Sequence, residues 1–195
     1  MLFIVGGVNR SGKSTLAYHL NKKHGLPFFS LDHLMHGLLN GQSDIQCEGR
    51  THDREKATVM WPIVKELILN KLKINYITDK DEKDTPVHYL MEGVIIRPEH
   101  CAELTKLYPN HIKTCWLGYT DIDEKVKYHN IKTFNHLPND WLSKENDERI
   151  YGVIEASKKY SLELKKECQK FDIPFFDTGS NFEQVLGQVE RYLYS

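Results

Sequence analysis

The sequence lacks the features that mark several large classes of protein. Its four cysteines are widely spread over 195 residues, and no two of them form a C-x-x-C pair. This spacing argues against a zinc site or a disulfide framework, and it favours a reducing compartment. No stretch approaches the roughly 20 consecutive apolar residues of a membrane span, and the short apolar N-terminal run lacks the basic start of a signal peptide. We therefore expect a cytoplasmic protein with no membrane partner.

The chain also lacks an excess of charge of either sign. Its 26 Lys and Arg residues nearly balance its 27 Asp and Glu residues, which leaves a formal net charge of −1. Proteins that bind the phosphate backbone of nucleic acids usually present a basic surface, so the composition gives no reason to expect a nucleic-acid partner. No internal repeat or low-complexity tract divides the chain, and its length fits a single domain spanning residues 1–195.

What the sequence does contain is a phosphate-binding loop near its N-terminus. The run GVNRSGKS from Gly7 to Ser14 satisfies the pattern G-x-x-x-x-G-K-[ST]. In such loops the glycines let backbone N–H groups approach phosphate oxygens, Lys13 reaches the terminal phosphates, and the Ser14 hydroxyl ligates Mg²⁺. A chance match in a chain of this length is expected in about one sequence in a hundred. The expected nucleotide contacts are Gly7, Asn9, Arg10, Ser11, Gly12, Lys13, Ser14 and Thr15.

The pattern around this loop predicts a strand before it and a helix after it. Leu2–Val5 is a short apolar run, and Leu16, Ala17 and Leu20 recur at helical spacing. Four further short runs alternate with helical patterns, at 26–31, 87–93, 111–117 and 173–176. This alternation predicts an α/β fold of three layers, α/β/α, in which helices cover both faces of a five-stranded parallel sheet.

Two acidic residues stand at the ends of predicted strands. Asp32 directly follows the second strand, where it could accept a proton from a substrate hydroxyl or hold Mg²⁺ through water, or else cap the helix that begins at His33. Glu92 ends the third strand and could organise Mg²⁺ near Ser14, or else be a solvated strand end. Ligands of parallel sheets bind at the carboxyl ends of the strands, which favours the functional interpretation of both acids.

Basic residues that could assist phosphoryl transfer are less clearly marked. Arg97 could bind a phosphate or carboxylate of the acceptor, or be a surface arginine before a helix. A mobile lid often supplies positive charge to the moving phosphoryl group. We select Lys132 and Arg149 for this role, although each could also lie on a solvated helical face. They come from five candidates, Lys125, Lys127, Lys132, Lys144 and Arg149.

Taken together, these segments resemble the phosphate-loop kinases of the nucleoside-monophosphate-kinase-like branch, which includes adenylate and shikimate kinases. GGVNRSGKST resembles their ATP loop, FFSLDHLMHG their strand-Asp-helix segment, and YLMEGVIIRPEH the strand-acid-glycine segment of uncharacterised small predicted kinases. The resemblance implies ATP and Mg²⁺ as cofactors and a sheet order of 2-3-1-4-5. It also implies an acceptor-binding region near 33–75, a lid near 120–150 and an adenine-contacting loop near 177–181.

The chain departs from that branch in two places. Adenylate kinases carry Asp-Gly-x-Pro-Arg after the third strand, whereas here Glu92-Gly93 is followed by Arg97 one position late, and the lid is poor in arginine. We expect an ATP- and Mg²⁺-dependent phosphotransferase, monomeric or homodimeric, that acts on a small-molecule acceptor with Lys13 and Asp32 as catalytic residues. Two alternatives stay open: a nucleotide-binding ATPase or sensor module, and a toxin-like kinase acting on nucleotide sugars. A GTPase is disfavoured because the sequence has no N-K-x-D motif.

Overall fold

The structure is a computed structural model, and it describes residues 1–41, 53–74, 87–134 and 140–195. The polar run at 40–50 predicts a loop, the charged run at 79–84 predicts a solvated surface loop, and the run at 136–141 predicts a break in the helical pattern. All three lie wholly or largely outside the described residues. The predicted acceptor-binding region and lid are therefore described only in part.

Five strands form one parallel sheet: β1 (Leu2–Gly7), β2 (Phe28–Ser30), β3 (Tyr89–Gly93), β4 (Ile112–Gly118) and β5 (Phe175–Asp177). Their order is β2-β3-β1-β4-β5, which confirms the predicted topology. The register places Val5 of the central strand beside Glu92 of β3 and Cys115 of β4. All six residues of β1 are buried, as expected for a strand covered on both faces.

Seven helices connect the strands within the described residues: α1 (Lys13–His24), α2 (Leu31–Gly41), α3 (Asp53–Leu72), α4 (Pro98–Leu107), α5 (Glu124–Thr133), α6 (Asp147–Lys170) and α7 (Phe182–Tyr194). A 3₁₀ turn at Leu142–Lys144 lies between α5 and α6. Two of these helices begin at residues suited to the start of a helix. Asp123 caps α5 by accepting hydrogen bonds from two backbone N–H groups, and Asn146 caps α6 by accepting one.

Helices pack on both faces of the sheet. Alternate residues of β1 point to opposite faces, so they enter two different cores. Leu2 and Ile4 join a core with buried residues of α3, α4 and α6. Phe3 and Val5 join a second core with buried residues of α1 and α7. The predicted three-layer α/β/α arrangement is therefore confirmed. None of the helices that the structure describes is long and apolar enough to cross a membrane.

Helix α3 contains an internal proline, Pro62. Such a proline favours a kink or a fresh start of the helix, and the structure shows no fresh start, because α3 runs as one helix from Asp53 to Leu72. A proline inside a helix removes a hydrogen bond at a cost of about 3 kcal/mol or more. Pro62 lies on the exposed side, and the helix is held by a buried stripe on the other side. That stripe consists of Ala57, Met60, Val64, Ile68 and Leu72.

Candidate functional site

A large open cavity runs along the carboxyl ends of the strands. Residues that follow all five strands line it, as expected for a parallel sheet. Its wall includes Arg10, Lys13 and Ser14 after β1, and Asp32 after β2. The phosphate loop therefore faces the same cavity as Asp32.

The two glycines at the ends of the phosphate loop are required by its geometry. Gly7 has a φ of 144°, and a Cβ atom there would lie 2.0 Å from the carbonyl oxygen of Leu117. Gly12 has a φ of 99°, and a Cβ atom there would lie 2.7 Å from the ring of Phe182. Both φ values belong to the region that favours glycine. The chain can thus turn tightly from β1 into α1, which begins at Lys13.

Lys13 lies against the loop that precedes it. Its side chain is 5% exposed, and Nζ donates a hydrogen bond to the carbonyl oxygen of Val8 at 2.7 Å. The Ser11 hydroxyl donates to the same carbonyl oxygen at 2.9 Å. The positive end of the α1 dipole and the Lys13 ammonium are therefore concentrated at one part of the cavity, which suits an anionic group.

Glu92 and Ser14 meet beneath the loop. The Ser14 hydroxyl donates to Oε1 of Glu92 at 3.3 Å, and Glu92 is 1% exposed. Burial raises the pKa of Glu92, the positive charge of Lys13 opposes that rise, and the carboxylate of Asp32 adds to it. The second carboxylate oxygen, Oε2, is buried and has no hydrogen-bond partner among the described residues. Glu92 is thus not a solvated strand end.

Asp32 is fixed by the chain that leaves β3. Its Oδ1 accepts a hydrogen bond from the backbone N–H of Val94 at 2.9 Å. A Cβ atom at Gly93 would lie 3.0 Å from that same oxygen and 2.9 Å from Cβ of Leu31, so only glycine allows α2 to lie this close to β3. Within the described chain, the carboxylate bonds to this neighbouring segment and not to an N–H group of its own helix. The helix-cap interpretation therefore does not describe its contacts.

Arg10 and Lys127 bring positive charge to the other side of the loop. Nη2 of Arg10 lies 2.6 Å from Oδ1 of Asp140, and Nζ of Lys127 donates to the carbonyl oxygen of Arg10 at 2.8 Å. Burial, together with the positive charges of Arg10 and Lys13, lowers the pKa of Lys127 to about 8. Lys127 was among the lid candidates but was not selected. Its spacing of four from the buried Ile131 is the signal that could have placed it on the inner face of α5.

The two selected lid residues lie in different environments. Nζ of Lys132 donates to the backbone carbonyl oxygens of Ser143 at 3.0 Å and Glu145 at 3.3 Å, and Lys132 is not part of the cavity wall. Arg149 is exposed on that wall, near the start of α6. The structure therefore brings Arg149 to the cavity but directs the Lys132 ammonium to the 3₁₀ turn before α6, within the predicted lid.

Arg97 lies away from the cavity. It is 1% exposed, its Nε donates to Glu99 at 2.9 Å, and its Nη2 donates to Glu167 of α6 at 2.6 Å. Arg97 is not among the residues of the cavity wall. The side chain that was expected to bind the acceptor thus joins α4 to α6, and the structure does not bring it together with Asp32.

The loop after β5 reaches the cavity as expected. Asp177 accepts hydrogen bonds from the N–H of Gly179 at 2.9 Å and from the hydroxyl of Thr120. Residues 178–184 line the wall beside the phosphate loop. The segment that was expected to contact adenine therefore lies on the wall of the same cavity as Gly12 and Lys13.

Comparisons with known proteins give a likeness of fold. No protein-family model matches the chain, and a comparison with curated protein sequences finds no match. The shikimate kinase from Bacteroides thetaiotaomicron matches with a TM-score of 0.54 at 12% identity, over 100% of this chain and 99% of that one. The shikimate kinase from Aquifex aeolicus matches with a TM-score of 0.50 at 16% identity, over 100% of this chain and 96% of that one.

A third structure, shikimate kinase from Acinetobacter baumannii in complex with shikimate, matches with a TM-score of 0.55 at 14% identity. This match covers 99% of the present chain and 92% of the Acinetobacter chain. Identities this low establish the fold alone. The chain thus has the phosphate-loop fold of the shikimate kinases, which is the fold of the nucleoside-monophosphate-kinase-like branch.

Proposed function

We propose that this protein is an ATP- and Mg²⁺-dependent phosphotransferase that acts on a small-molecule acceptor. One observation carries the proposal: the carboxylate of Asp32 is fixed on the same cavity wall as Lys13 and Ser14. A phosphate loop alone suits any nucleotide-binding protein, whereas an oriented carboxylate facing it suits a second substrate.

The loop amides and Lys13 would bind the phosphates of ATP. Nζ of Lys13 lies 2.7 Å from a loop carbonyl oxygen, and phosphate oxygens are a stronger acceptor for an ammonium group. Arg10 and Thr15 also lie on the wall of the cavity, and the loop at 178–181 would hold the adenine. The positive end of α1 adds to the attraction for the anionic phosphates.

The residues beneath the loop fit Mg²⁺. The Ser14 hydroxyl and the Glu92 carboxylate are oxygen donors 3.3 Å apart, and Mg²⁺ prefers oxygen ligands. Oε2 of Glu92 is buried without a partner in the described chain, which is the kind of atom that a cation satisfies. Bound Mg²⁺ supplies positive charge that neutralises the β- and γ-phosphate oxygens. The charge of the ion would also favour the ionised form of Glu92.

Asp32 would act on the acceptor. Its Oδ1 is held by the N–H of Val94, and its Oδ2 makes no hydrogen bond to the described residues, so Oδ2 can accept a proton from an acceptor hydroxyl. The acceptor would lie between α2 and the start of α3, where Arg54 is also on the cavity wall. Arg97 would reach an acceptor only after its ion pairs with Glu99 and Glu167 break. The complex of the Acinetobacter enzyme with shikimate supports a small-molecule acceptor.

The proposal is tested by ADP release with a panel of hydroxylated metabolites. One acceptor should stimulate turnover, and Asp32→Asn should lower kcat by about 10²–10⁴-fold while the ATP affinity stays the same. Asp121→Asn is the matched control, because Asp121 is exposed and lies outside the cavity wall. Equal turnover in the Asp32 variant and its control would contradict the proposal.

A second candidate is a nucleotide-binding ATPase or sensor without metabolite kinase activity. Two observations favour it: the Lys132 ammonium is bonded to backbone carbonyl oxygens, and the buried Arg97 is in ion pairs with Glu99 and Glu167. A sensor would bind ATP tightly, hydrolyse it slowly and ignore every acceptor of the panel. The same assay therefore separates the two functions.

A further inference from the structure

Phosphoryl transfer requires positive charge beside the three oxygens of the moving group, and kinases usually place an arginine or lysine there. The lid of this chain is poor in arginine, and its Lys132 ammonium donates to backbone carbonyl oxygens. The side chain of Arg149 reaches the cavity wall but makes no hydrogen bond or ion pair with the described residues that would fix it. Arg10 of the phosphate loop lies on the same wall and is held in place by an ion pair.

The backbone at Arg10 is in an unusual conformation. Its φ is 61°, in the left-handed region that glycine adopts freely and that other residues adopt at a cost. A glycine at this position would satisfy the same turn with less strain. The presence of a long cationic side chain there points to a use for the side chain itself.

The guanidinium of Arg10 is held at the cavity wall by a carboxylate behind it. Nη2 lies 2.6 Å from Oδ1 of Asp140, and the side chains of Arg10 and Asp140 are 17% and 2% exposed. Arg10 belongs to the cavity wall, whereas Asp140 does not. The other N–H groups of the guanidinium donate to no acceptor within the part of the chain that the structure describes, so they remain free for phosphate oxygens.

Asp140 is itself anchored. It accepts hydrogen bonds from the backbone N–H of Ser143 at 3.4 Å and from the Ser143 hydroxyl. Leu142, two residues after Asp140, is fully buried in a small apolar cluster with Ile131 and Ile150, so the turn that follows Asp140 is packed against α5 and α6. A carboxylate placed this way fixes the direction of the guanidinium.

The main chain of Arg10 is fixed as well. Its carbonyl oxygen accepts the hydrogen bond from Nζ of Lys127, and the preceding carbonyl oxygen, of Asn9, accepts one from the hydroxyl of Tyr119 at 3.1 Å. Lys127 and Tyr119 are both buried, and the ammonium lies 4.1 Å from the centre of the Tyr119 ring. The backbone and the guanidinium of Arg10 are thus both held in place by other residues of the protein, which is the preorganisation that electrostatic catalysis requires.

We propose that Arg10 supplies the positive charge that stabilises the transferring phosphoryl group, and that Asp140 is the positioning residue that holds its guanidinium at the cavity. This inference rests on the proposed function. In the step, the bond from the γ-phosphorus to the β–γ bridging oxygen breaks, and a bond from that phosphorus to the acceptor oxygen forms. The acceptor proton passes to Asp32, and ADP leaves with the bridging-bond electrons. Arg10 donates hydrogen bonds to the moving oxygens and exchanges no atoms.

The test uses the full chain with MgATP, and water serves as the acceptor if no metabolite has been found. Arg10→Gly should lower kcat by about 10²–10³-fold with little change in the dissociation constant of ATP. Glycine fits a φ of 61°, so this variant should fold normally. Asp172→Gly is the matched control, because Asp172 also has a positive φ, of 55°, but is exposed and lies outside the cavity wall.

Two further measurements separate a positioning role from a structural one. Asp140→Asn should lower kcat about 10-fold to 100-fold in the wild-type background and have no further effect in the Arg10→Gly background. Free guanidinium ion should restore part of the kcat of Arg10→Gly and leave Asp172→Gly unchanged. Such rescue is expected because the added cation can occupy the position that the missing side chain leaves at the phosphates.

The possible results are distinguishable. Turnover that is unaffected by Arg10→Gly, or an Asp140→Asn effect of equal size in both backgrounds, would overturn this inference and leave the proposed function intact. A wild-type chain that binds MgATP but never turns it over would overturn the proposed function and this inference together. Loss of ATP binding in Arg10→Gly without loss of kcat would assign Arg10 to ground-state binding and overturn the catalytic role.

Discussion

We expect the negative charge of Glu92 to have opposite effects on the free and the ligand-bound protein. The charge should lower the stability of the free protein, and it should help to hold Mg²⁺ when MgATP is bound. Burial raises the pKa of Glu92, and Oε2 has no hydrogen-bond partner in the described chain. An unsatisfied buried polar group costs about 1–3 kcal/mol, and more when it is charged. Glu92→Gln removes that charge, so without Mg²⁺ and ATP at pH 7 the free energy of unfolding should rise by about 1–3 kcal/mol.

The pH dependence of this effect has a definite sign. A carboxyl whose folded pKa is raised binds more protons in the folded state than in the unfolded state, so its contribution to stability falls as pH rises above the ordinary value of 4.5. Wild-type protein should therefore lose stability relative to Glu92→Gln as pH rises from that value through the raised pKa of Glu92. Near pH 7 the difference should appear as a higher Tm for the variant, by about 2–4 °C per kcal/mol.

The stabilisation by MgATP should be smaller in the Glu92→Gln variant than in the wild type. Saturating ligand at 100 times its dissociation constant stabilises a protein by about 2.7 kcal/mol, and the variant should lose most of this gain because Glu92 would help to hold Mg²⁺. Thermal unfolding with and without MgATP measures both effects. Glu103→Gln is the control, because Glu103 is exposed, and it should change stability by no more than about 0.5 kcal/mol. A Glu92→Gln variant that is less stable without ligand, or that responds to MgATP like wild type, would refute the reasoning.

Three other predictions follow from single contacts. Gly93→Ala should lose about 1–3 kcal/mol of stability, because the added Cβ would lie 2.9 Å from Cβ of Leu31. Gly37→Ala in α2 is the control and should gain about 0.5–1 kcal/mol, because nothing lies within 4 Å of its Cβ position. Denaturant unfolding measures both, and equal effects would contradict the packing argument. The pKa of Lys127 is lowered from 10.5 to about 8, so between these pH values the unfolded chain binds more protons and the stability of the free protein should rise with pH. The affinity for ATP should fall over the same range because Lys127 loses its positive charge. Lys127→Met should remove both trends in titrations from pH 8 to 10.5. Arg97→Met leaves Glu167 without its buried partner and should lower the free energy of unfolding in urea by about 3–5 kcal/mol. Calorimetry on the folded variant should find the affinity for ATP unchanged. A specific loss of acceptor binding would instead assign Arg97 to the acceptor.

Much of this fold could be predicted from the sequence because its signals are local. The phosphate loop is a contiguous motif, and the short apolar runs separated by helical patterns fix a parallel sheet. Asp32 and Glu92 could be found because strand ends in such a sheet converge. The sequence from residue 98 to 107 also predicts a helix, because Pro98 suits a first turn, and α4 has these bounds with Arg97 before it in extended conformation.

The remaining site residues depend on contacts between distant segments, which a single sequence does not display. Arg97 was expected at the acceptor, but Glu167, 70 residues away, holds it in an ion pair. Lys132 was selected from the lid candidates instead of Lys127. The spacing of Lys127 from Ile131 indicates an inner position on α5, but the contact of its ammonium with Arg10 depends on the packing of α5 against the phosphate loop. The contact between Arg10 and Asp140 spans most of the chain and has no sequence signature.

The most direct test of the central claim is to follow the γ-phosphate itself. Wild-type protein with γ-labelled ATP, Mg²⁺ and a fractionated small-metabolite extract should transfer label to one low-molecular-weight product, and Asp32→Asn should form at least about 100-fold less of it. Release of all label as inorganic phosphate, at the same rate with and without the extract and in both proteins, would contradict the claim that this chain is a small-molecule kinase.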